Sequence, residues 1–345
     1  REEVRMIDQG LKVTISTFLK VPFDLEYWQK VAAEKYPNGL PEPYSDDPTQ
    51  WIFHGHPKTS SVPLQVAIAR LLGYQWPAEK DDKMELSNEA RYWVSESQKL
   101  KPFADDDGIV CIPSVRGEPG AGDRLFKLLE AAFGTDLQLH QLLSATGSSA
   151  GSLDQWLRDD FFIQHCVLFQ HRPFIWHIWD GERDGFSALV NYHKLNKTNL
   201  ETLIYTYLSD WIARQKLELE QGVSGAQTRL AAATNLKERL ELILAGEEPY
   251  DIFIRWKPLD EQPIGWDPDI NDGVRLNIRP FMTAQVLRFN KPPKLNIKWE
   301  KDRGKDNENA PWYHLFKGDR INDFHTSLSQ KMGARREVNA GELVK

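Results

Sequence analysis

Two apolar stripes at helical spacing, set around a glycine-containing link, constrain this chain more than any other feature. Leu200, Leu203, Ile204, Tyr207, Leu208 and Trp211 fall on one face of a helix over 198–221. Leu230, Leu236, Leu240, Ile243 and Leu244 do the same over 224–245, and Gly222 and Gly225 bracket the turn. Two helices of about 20 residues, each about 30 Å long, with so short a link must fold back on each other as an antiparallel hairpin.

Around that hairpin the pattern is mixed. Helical spacing recurs over 26–36, 63–73, 87–100, 123–133 and 136–144, and a further helix opens at Ser152 with Asp154 and Asp160 in its first and last turns. Strands are expected at 108–115, with Pro113 pushing it to a sheet edge, and in two segments of 172–190 around the turn 180–185. Alternation also predicts strands at 250–256, 274–278 and 295–299, and a short helix near 326–336. The fold class expected is α+β, helix-rich, with short strands plus a long antiparallel helical hairpin. The chain then divides into three regions: a helical or mixed acidic region over 1–150, a helix with short β segments and the hairpin over 151–246, and a mixed, β-containing basic region over 247–345.

The chain has 345 residues, 41% hydrophobic and 27% charged, enough for an ordinary core. No run approaches the about 18 apolar residues of a membrane-spanning helix. Two cysteines, Cys111 and Cys166, exclude a disulfide framework and a four-cysteine zinc site, and a cytoplasmic location is expected. The chain opens on Arg1 without a charged-then-apolar leader, which reads as a cut inside a longer protein. Net charge is −7, but residues 275–345 carry +7 and the rest −14. A basic C-terminal quarter on an acidic body is either a solvated surface or a nucleic-acid footprint.

Several motif-like features have plainer readings. The glycine loop 117–122 follows a strand and precedes a helix, but Asp123 and Arg124 stand where a phosphate loop needs Lys and Ser/Thr. Residues 147–151 match G-x-S-x-G around Ser149, yet the preceding residues read as helix where a nucleophile elbow needs a strand. His54, His56, His165, Cys166 and His171 are the closely spaced metal-ligand types, and nothing in sequence gathers four of them. The acidic cluster Asp267, Asp269, Asn271 and Asp272 has Ile278 where a calcium loop needs glutamate. No metal site and no catalytic residue is therefore assigned. The segment 288–305 is the strongest local signal. Arg288, Lys291, Lys294, Lys298, Lys301, Arg303 and Lys305 surround Trp299, against Glu300 and Asp302, and Pro292-Pro293 keeps part of it extended. Such cations on phosphates release counterions, and the aromatic ring can stack on a base. These eight residues are the candidate DNA contacts.

Several phrases together resemble a known family. They are WIFHGHP (51–57), GIVCIPSVRGEP (108–119), RPFIWHIWDG (172–181), FSALVNYH (186–193), GWDPDINDGVRLNIRPF (265–281), KDRGK (301–305) and GDRIND (318–323). In combination they resemble the C-terminal region of the large adenine-specific DNA methyltransferases of bacterial restriction–modification and phage-defence systems, of the BREX and DISARM kind. The resemblance runs from about Trp51 to the end. It implies a parent chain that uses S-adenosylmethionine. It implies no catalysis here: Lys291-Pro292-Pro293-Lys294 lacks the Asn and aromatic residue that flank the family's Pro-Pro, and no Phe-x-Gly-x-Gly is present. The part after the catalytic domain in such enzymes usually handles target recognition, often with helical spacers, a role that the hairpin suits. The partners so implied are double-stranded DNA, the catalytic domain of the same chain, and other defence-system proteins. A protein-docking scaffold without DNA contact is the alternative, and a hydrolase or nucleotide enzyme built on Ser149 or the glycine loop is the enzymatic rival.

Overall fold

The computed structural model describes residues 23–37, 54–84, 86–169, 171–247, 250–251, 254–258, 274 and 276–288. The chain divides into two units, 1–47 and 48–345. The first contributes α1 (Leu25–Lys35), started by Asp24, whose carboxylate accepts from the Tyr27 amide. None of its residues is buried.

In the second unit the expected helices form. α2 (Pro63–Leu71) begins on proline, which loses no hydrogen bond at a first turn, and buries every residue from Leu64 to Leu71. α3 (Asn88–Gln98) is capped by Ser87, whose hydroxyl accepts from Ala90 N at 3.1 Å. After β1 (Ile109–Cys111), Gly120 leads into α4 (Ala121–Phe133), whose Leu125, Leu128 and Leu129 face the core. α5 (Leu139–Ala145) and α6 (Leu153–Asp159) come next, α6 capped by Ser152. Asp160 then breaks the helix and α7 (Phe161–Leu168) restarts it, a separate helix that the sequence pattern did not announce.

β2 (Ile175–Trp179) and β3 (Ser187–Asn191) flank the turn at 180–185 as the sequence suggested. The sheet has the order β1-β3-β2 and is antiparallel throughout, pairing Val110 with Leu189 and His177 with Leu189. β1 is an edge strand, the place that Pro113 fits. The outer side of β2 is bridged by 286–288: Trp179 N donates to Val286 O at 2.9 Å and Arg288 N donates to His177 O at 2.8 Å.

α8 has three consecutive parts, Lys197–Thr202, a π-helical turn Leu203–Leu208 and Ser209–Glu220. α9 (Ala226–Ala245) returns along it. Gly222 and Gly225 both adopt positive φ, 73° and 80°, which residues with a Cβ resist, so the two glycines make the short reversal possible. All six apolar residues named on the first stripe are buried; on the second, Leu236, Leu240 and Ile243 are buried and Leu230 and Leu244 partly so. One core gathers Leu64, Leu125, Trp156, Trp176, Leu203, Leu236 and Phe281 from across the unit. The architecture is α+β and helix-rich with a small antiparallel sheet.

Two expected strands take other forms. Of 250–256, the described residues include no strand. Arg255 donates to the carbonyls of Tyr192 and Leu195, both at 2.9 Å, and Trp256 Nε1 to Leu244 O at 3.0 Å. These side-chain ties to the end of α9 and the exit of β3 replace strand pairing. Of 274–278, the described residues form turns entering α10 (Arg279–Thr283). The polar position Asn277 is buried there and accepts from Tyr192 OH at 2.7 Å, so the alternation does not mark a solvent-facing side. The segments 295–299 and 326–336 lie outside the described residues. No described helix is long and apolar enough to cross a membrane.

Candidate functional site

The basic segment is rooted on the outer edge of β2. There Arg288 lies across Trp179, its guanidinium carbon 4.0 Å from the ring centroid. Its Nε donates to Arg158 O at 2.8 Å and its Nη2 meets Asp159 Oδ1 at 3.2 Å. The side chain is 12% exposed. Of the eight expected DNA contacts, this is the one the structure places, and its charge is engaged by Asp159. Lys291, Lys294, Lys298, Trp299, Lys301, Arg303 and Lys305 lie outside the described residues.

Around that root, arginines and carboxylates interleave. Gln155, Arg158, Asp159, Arg183 and Asp184 line an open depression of about 550 Å³. Arg158 donates to Arg183 O at 2.9 Å, and Arg229 pairs with both Asp184 and Glu218 at 2.9 Å. On β2, His177 is fully buried with neither ring nitrogen hydrogen-bonded among the described residues. Burial, reinforced by Arg288 and Arg158, lowers its pKa to about 3, so the imidazole is neutral. Sequence reasoning flagged Arg288 but missed Arg158 and Asp159. They stand about 130 positions away, and no local pattern pairs residues at that separation.

The glycine loop holds a carboxylate. A Cβ on Gly122 would come within 2.5 Å of Asp154 Oδ1, so the Asp154 side chain lies directly against the start of α4. Arg124 pairs with Asp105 at 2.9 Å and with Glu118 of the loop itself at 3.7 Å. A helix start with the Asp154 carboxylate of α6 against it does not fit the anionic groups of a nucleotide, nor the carboxylate end of S-adenosylmethionine. Gly147 has φ 72° and ends the α5 region. Thr146 Oγ1 donates to Leu143 O, Ser148 bonds Asp160, and Ser149 is exposed. That is a turn between helices, without the strand a nucleophile elbow requires.

His56 and His165 are engaged within the fold. His56 Nδ1 accepts from Lys58 N at 3.2 Å, and burial, with Arg70 nearby, lowers its pKa to about 4. His165 Nε2 accepts from Ile175 N at 3.2 Å, which leaves Nδ1–H to donate to Gln65 Oε1 at 3.1 Å. Its pKa falls to about 3 through burial, while burial pushes the Cys166 thiol up to about 12. No metal-binding group of three or more such residues occurs among the described residues. The acidic cluster at 267–272 lies outside them.

One polar centre was not read from sequence. In the turn before β1, Asp105 Oδ1 accepts from the amides of Asp107, Gly108 and Ile109, and Oδ2 accepts from Arg124. Asp107 accepts from Tyr207 OH at 3.0 Å, tying the turn to the π-helical part of α8. The run Asp105-Asp106-Asp107-Gly108 was its visible signal.

No family model matches this chain. It is similar to the adenine-specific methyltransferase BrxX of Escherichia coli O9:H4 (strain HS), with 24% identity over 214 residues. The match takes in 60% of this chain and 16% of that protein.

Proposed function

We propose that the chain is a non-catalytic C-terminal region, used for DNA recognition, of an adenine-N6 DNA methyltransferase acting in restriction–modification or anti-phage defence. The observation that carries this reading is the similarity to a 16% share of BrxX, an adenine-specific methyltransferase. In this reading S-adenosylmethionine and the transfer chemistry belong to other parts of the longer protein. The glycine loop, filled by Asp154, is consistent with that division. Arg288 anchors the basic segment to β2 through Trp179 and to the end of α6 through Asp159. Lys291, Lys294, Lys298, Lys301, Arg303 and Lys305 then meet phosphates, and Trp299 stacks.

A second reading, a scaffold that docks protein partners without touching DNA, is favoured by one observation. The stretches 59–69, 137–153 and 161–171 contain no Asp, Glu, Lys or Arg, although 27% of the chain is charged. Ile163, Val167 and Leu168 are exposed within them. Charge depletion with exposed apolar residues is a mark of protein interfaces.

Fluorescence anisotropy with a labelled duplex separates the two. DNA recognition gives binding to the 345-residue chain that is lost when Lys294, Lys298 and Arg303 are all replaced by glutamate. A scaffold gives no binding by either protein at low salt.

A further inference from the structure

Two open cavities lie side by side, sharing Ser61, Val62 and Leu168. The larger, about 480 Å³, is walled by four aromatic rings: Tyr74, Trp76, Phe169 and Phe174. Among the described residues no charged side chain lines it, while Gln75, Ser60, Ser61 and His54 bring donors and acceptors to its wall. The volume is that of a small-ligand site, and the mixture of apolar wall with a few polar groups is what such sites use to orient a ligand.

The rings are held in place before any ligand arrives. Tyr74 OH donates to Phe174 O at 2.7 Å and also lies 2.9 Å from His193 Nδ1. A phenol has one proton and a carbonyl only accepts, so His193 Nδ1 carries a proton and donates to Tyr74. Phe174 meets Tyr74 edge-on at 5.0 Å and Phe169 at 4.5 Å. Trp76 has the Arg70 guanidinium 4.8 Å from its ring centroid, and Arg70 is fixed by a 2.6 Å pair with Glu79. Between the two phenylalanines His171 adopts φ 62°, a left-handed conformation costly for a residue with a Cβ. Its amide donates to Cys166 O at 2.6 Å and Arg172 N to Phe169 O at 3.0 Å, which lock the strained turn that carries both rings. Strain of this kind gathers at binding sites because the surrounding structure must hold it.

We infer that this cavity is a binding site for an uncharged planar heterocycle, an unstacked nucleobase, received between the aromatic walls with its polar edge toward Gln75 and the serine hydroxyls. Flat π-faces accept any base, and an amide with hydroxyls supplies the donors and acceptors that a base edge presents. The absence of charge among the described lining residues keeps the phosphates outside. The inference rests on the DNA-recognition reading, and adds to it a place for a base that has left the stack.

The test uses 2-aminopurine, a fluorescent base quenched on stacking, as the riboside, in a duplex where it is extrahelical, and in the same duplex fully paired. Saturable quenching by the intact chain is expected for the extrahelical base and, more weakly, for the riboside. Trp76→Leu and Phe169→Leu should each weaken it about tenfold. Ser61→Glu, at an exposed position that leaves the core untouched, should weaken it similarly by placing a charge at the mouth. Leu217→Ser, on the exposed side of α8, should leave it unchanged. Equal quenching by wild type and Ser61→Glu, or none by either, overturns the base site. Anisotropy of the fully paired duplex on the same samples reads the DNA reading separately: binding without quenching removes the pocket alone, and loss of both removes both.

Discussion

The turn that enters β1 and the turn that joins β2 to β3 are built from the same parts and solve burial differently. In each, an aspartate folds back to accept backbone amides: Asp105 from Asp107, Gly108 and Ile109, and Asp180 from Glu182 and Phe186. Asp105 also has Arg124 at 2.9 Å. Burial works against its charge, but the hydrogen bonds from Asp107 and Arg124 outweigh it and hold its pKa below the ordinary range. No cation is paired with Asp180 among the described residues, and burial raises its pKa to about 6 against the pull of the two amides. Amide donors alone do not compensate a buried carboxylate; the Asp107 side chain and a guanidinium added to them do. Asp107 shows the third outcome: burial, then the hydrogen bond and charge of Asp105, raise it to about 7.

The largest effect expected is from Asp105→Ala, which removes the amide cap and leaves Arg124 only its longer pair with Glu118 at 3.7 Å. It should lower stability by about 3–4 kcal/mol in urea denaturation. Arg124→Met makes the first turn resemble the second. A loss of about 2 kcal/mol is expected, together with an upward move of the Asp105 titration in carboxyl NMR. An unmoved Asp105 would show that the amides and Asp107 suffice without the guanidinium.

The pH dependence separates the three carboxylates by sign, Asp105 from Asp107 and Asp180. Asp180 and Asp107 keep a proton that the unfolded chain releases above the ordinary carboxylate range. Their stabilisation is full below about pH 4 and is lost as pH rises through about 6 and about 7 respectively. Asp105 acts oppositely, stabilising above the ordinary range and ceasing to as pH falls through its lowered pKa. Asp180→Asn and Asp107→Asn should each flatten the decline in the urea midpoint between about pH 5 and about pH 8. A decline as steep as that of the wild type in both variants would place its origin elsewhere. The smallest effect is from Gly181→Ala: φ is 99°, yet nothing lies within 4 Å of an added Cβ, so about 1 kcal/mol of backbone strain is expected in thermal melts.

The sequence reading succeeded where a signal is local. The hairpin stripes, the helices over 63–73 and 87–100, the helix start at Ser152 and the turn at 180–185 depend on residues a few positions apart. It failed at 250–256 and 274–278, where alternation looks like a strand but Arg255, Trp256 and Asn277 are claimed by Tyr192, Leu195 and Leu244 from elsewhere in the fold. It also missed α7, because FFIQHCVL after Asp160 is apolar nearly throughout and carries no one-sided helical stripe. At the candidate site, Arg288 was legible as a cation and its partners were not, since Asp159 and Trp179 reach it only through the pairing of 286–288 with β2. The aromatic cavity was illegible for the same reason: Tyr74 and Phe174 are 100 positions apart.

The salt dependence of duplex binding tests DNA recognition most directly. The slope of log K against log salt should be steeply negative, at about −0.9 per phosphate contacted. It should flatten in the Lys294, Lys298, Arg303 triple-glutamate variant and stay nearly unchanged in Arg288→Lys, whose cation serves Asp159. Absence of binding at low salt, or a slope that the triple variant leaves intact, would contradict a DNA-recognition role for the basic segment.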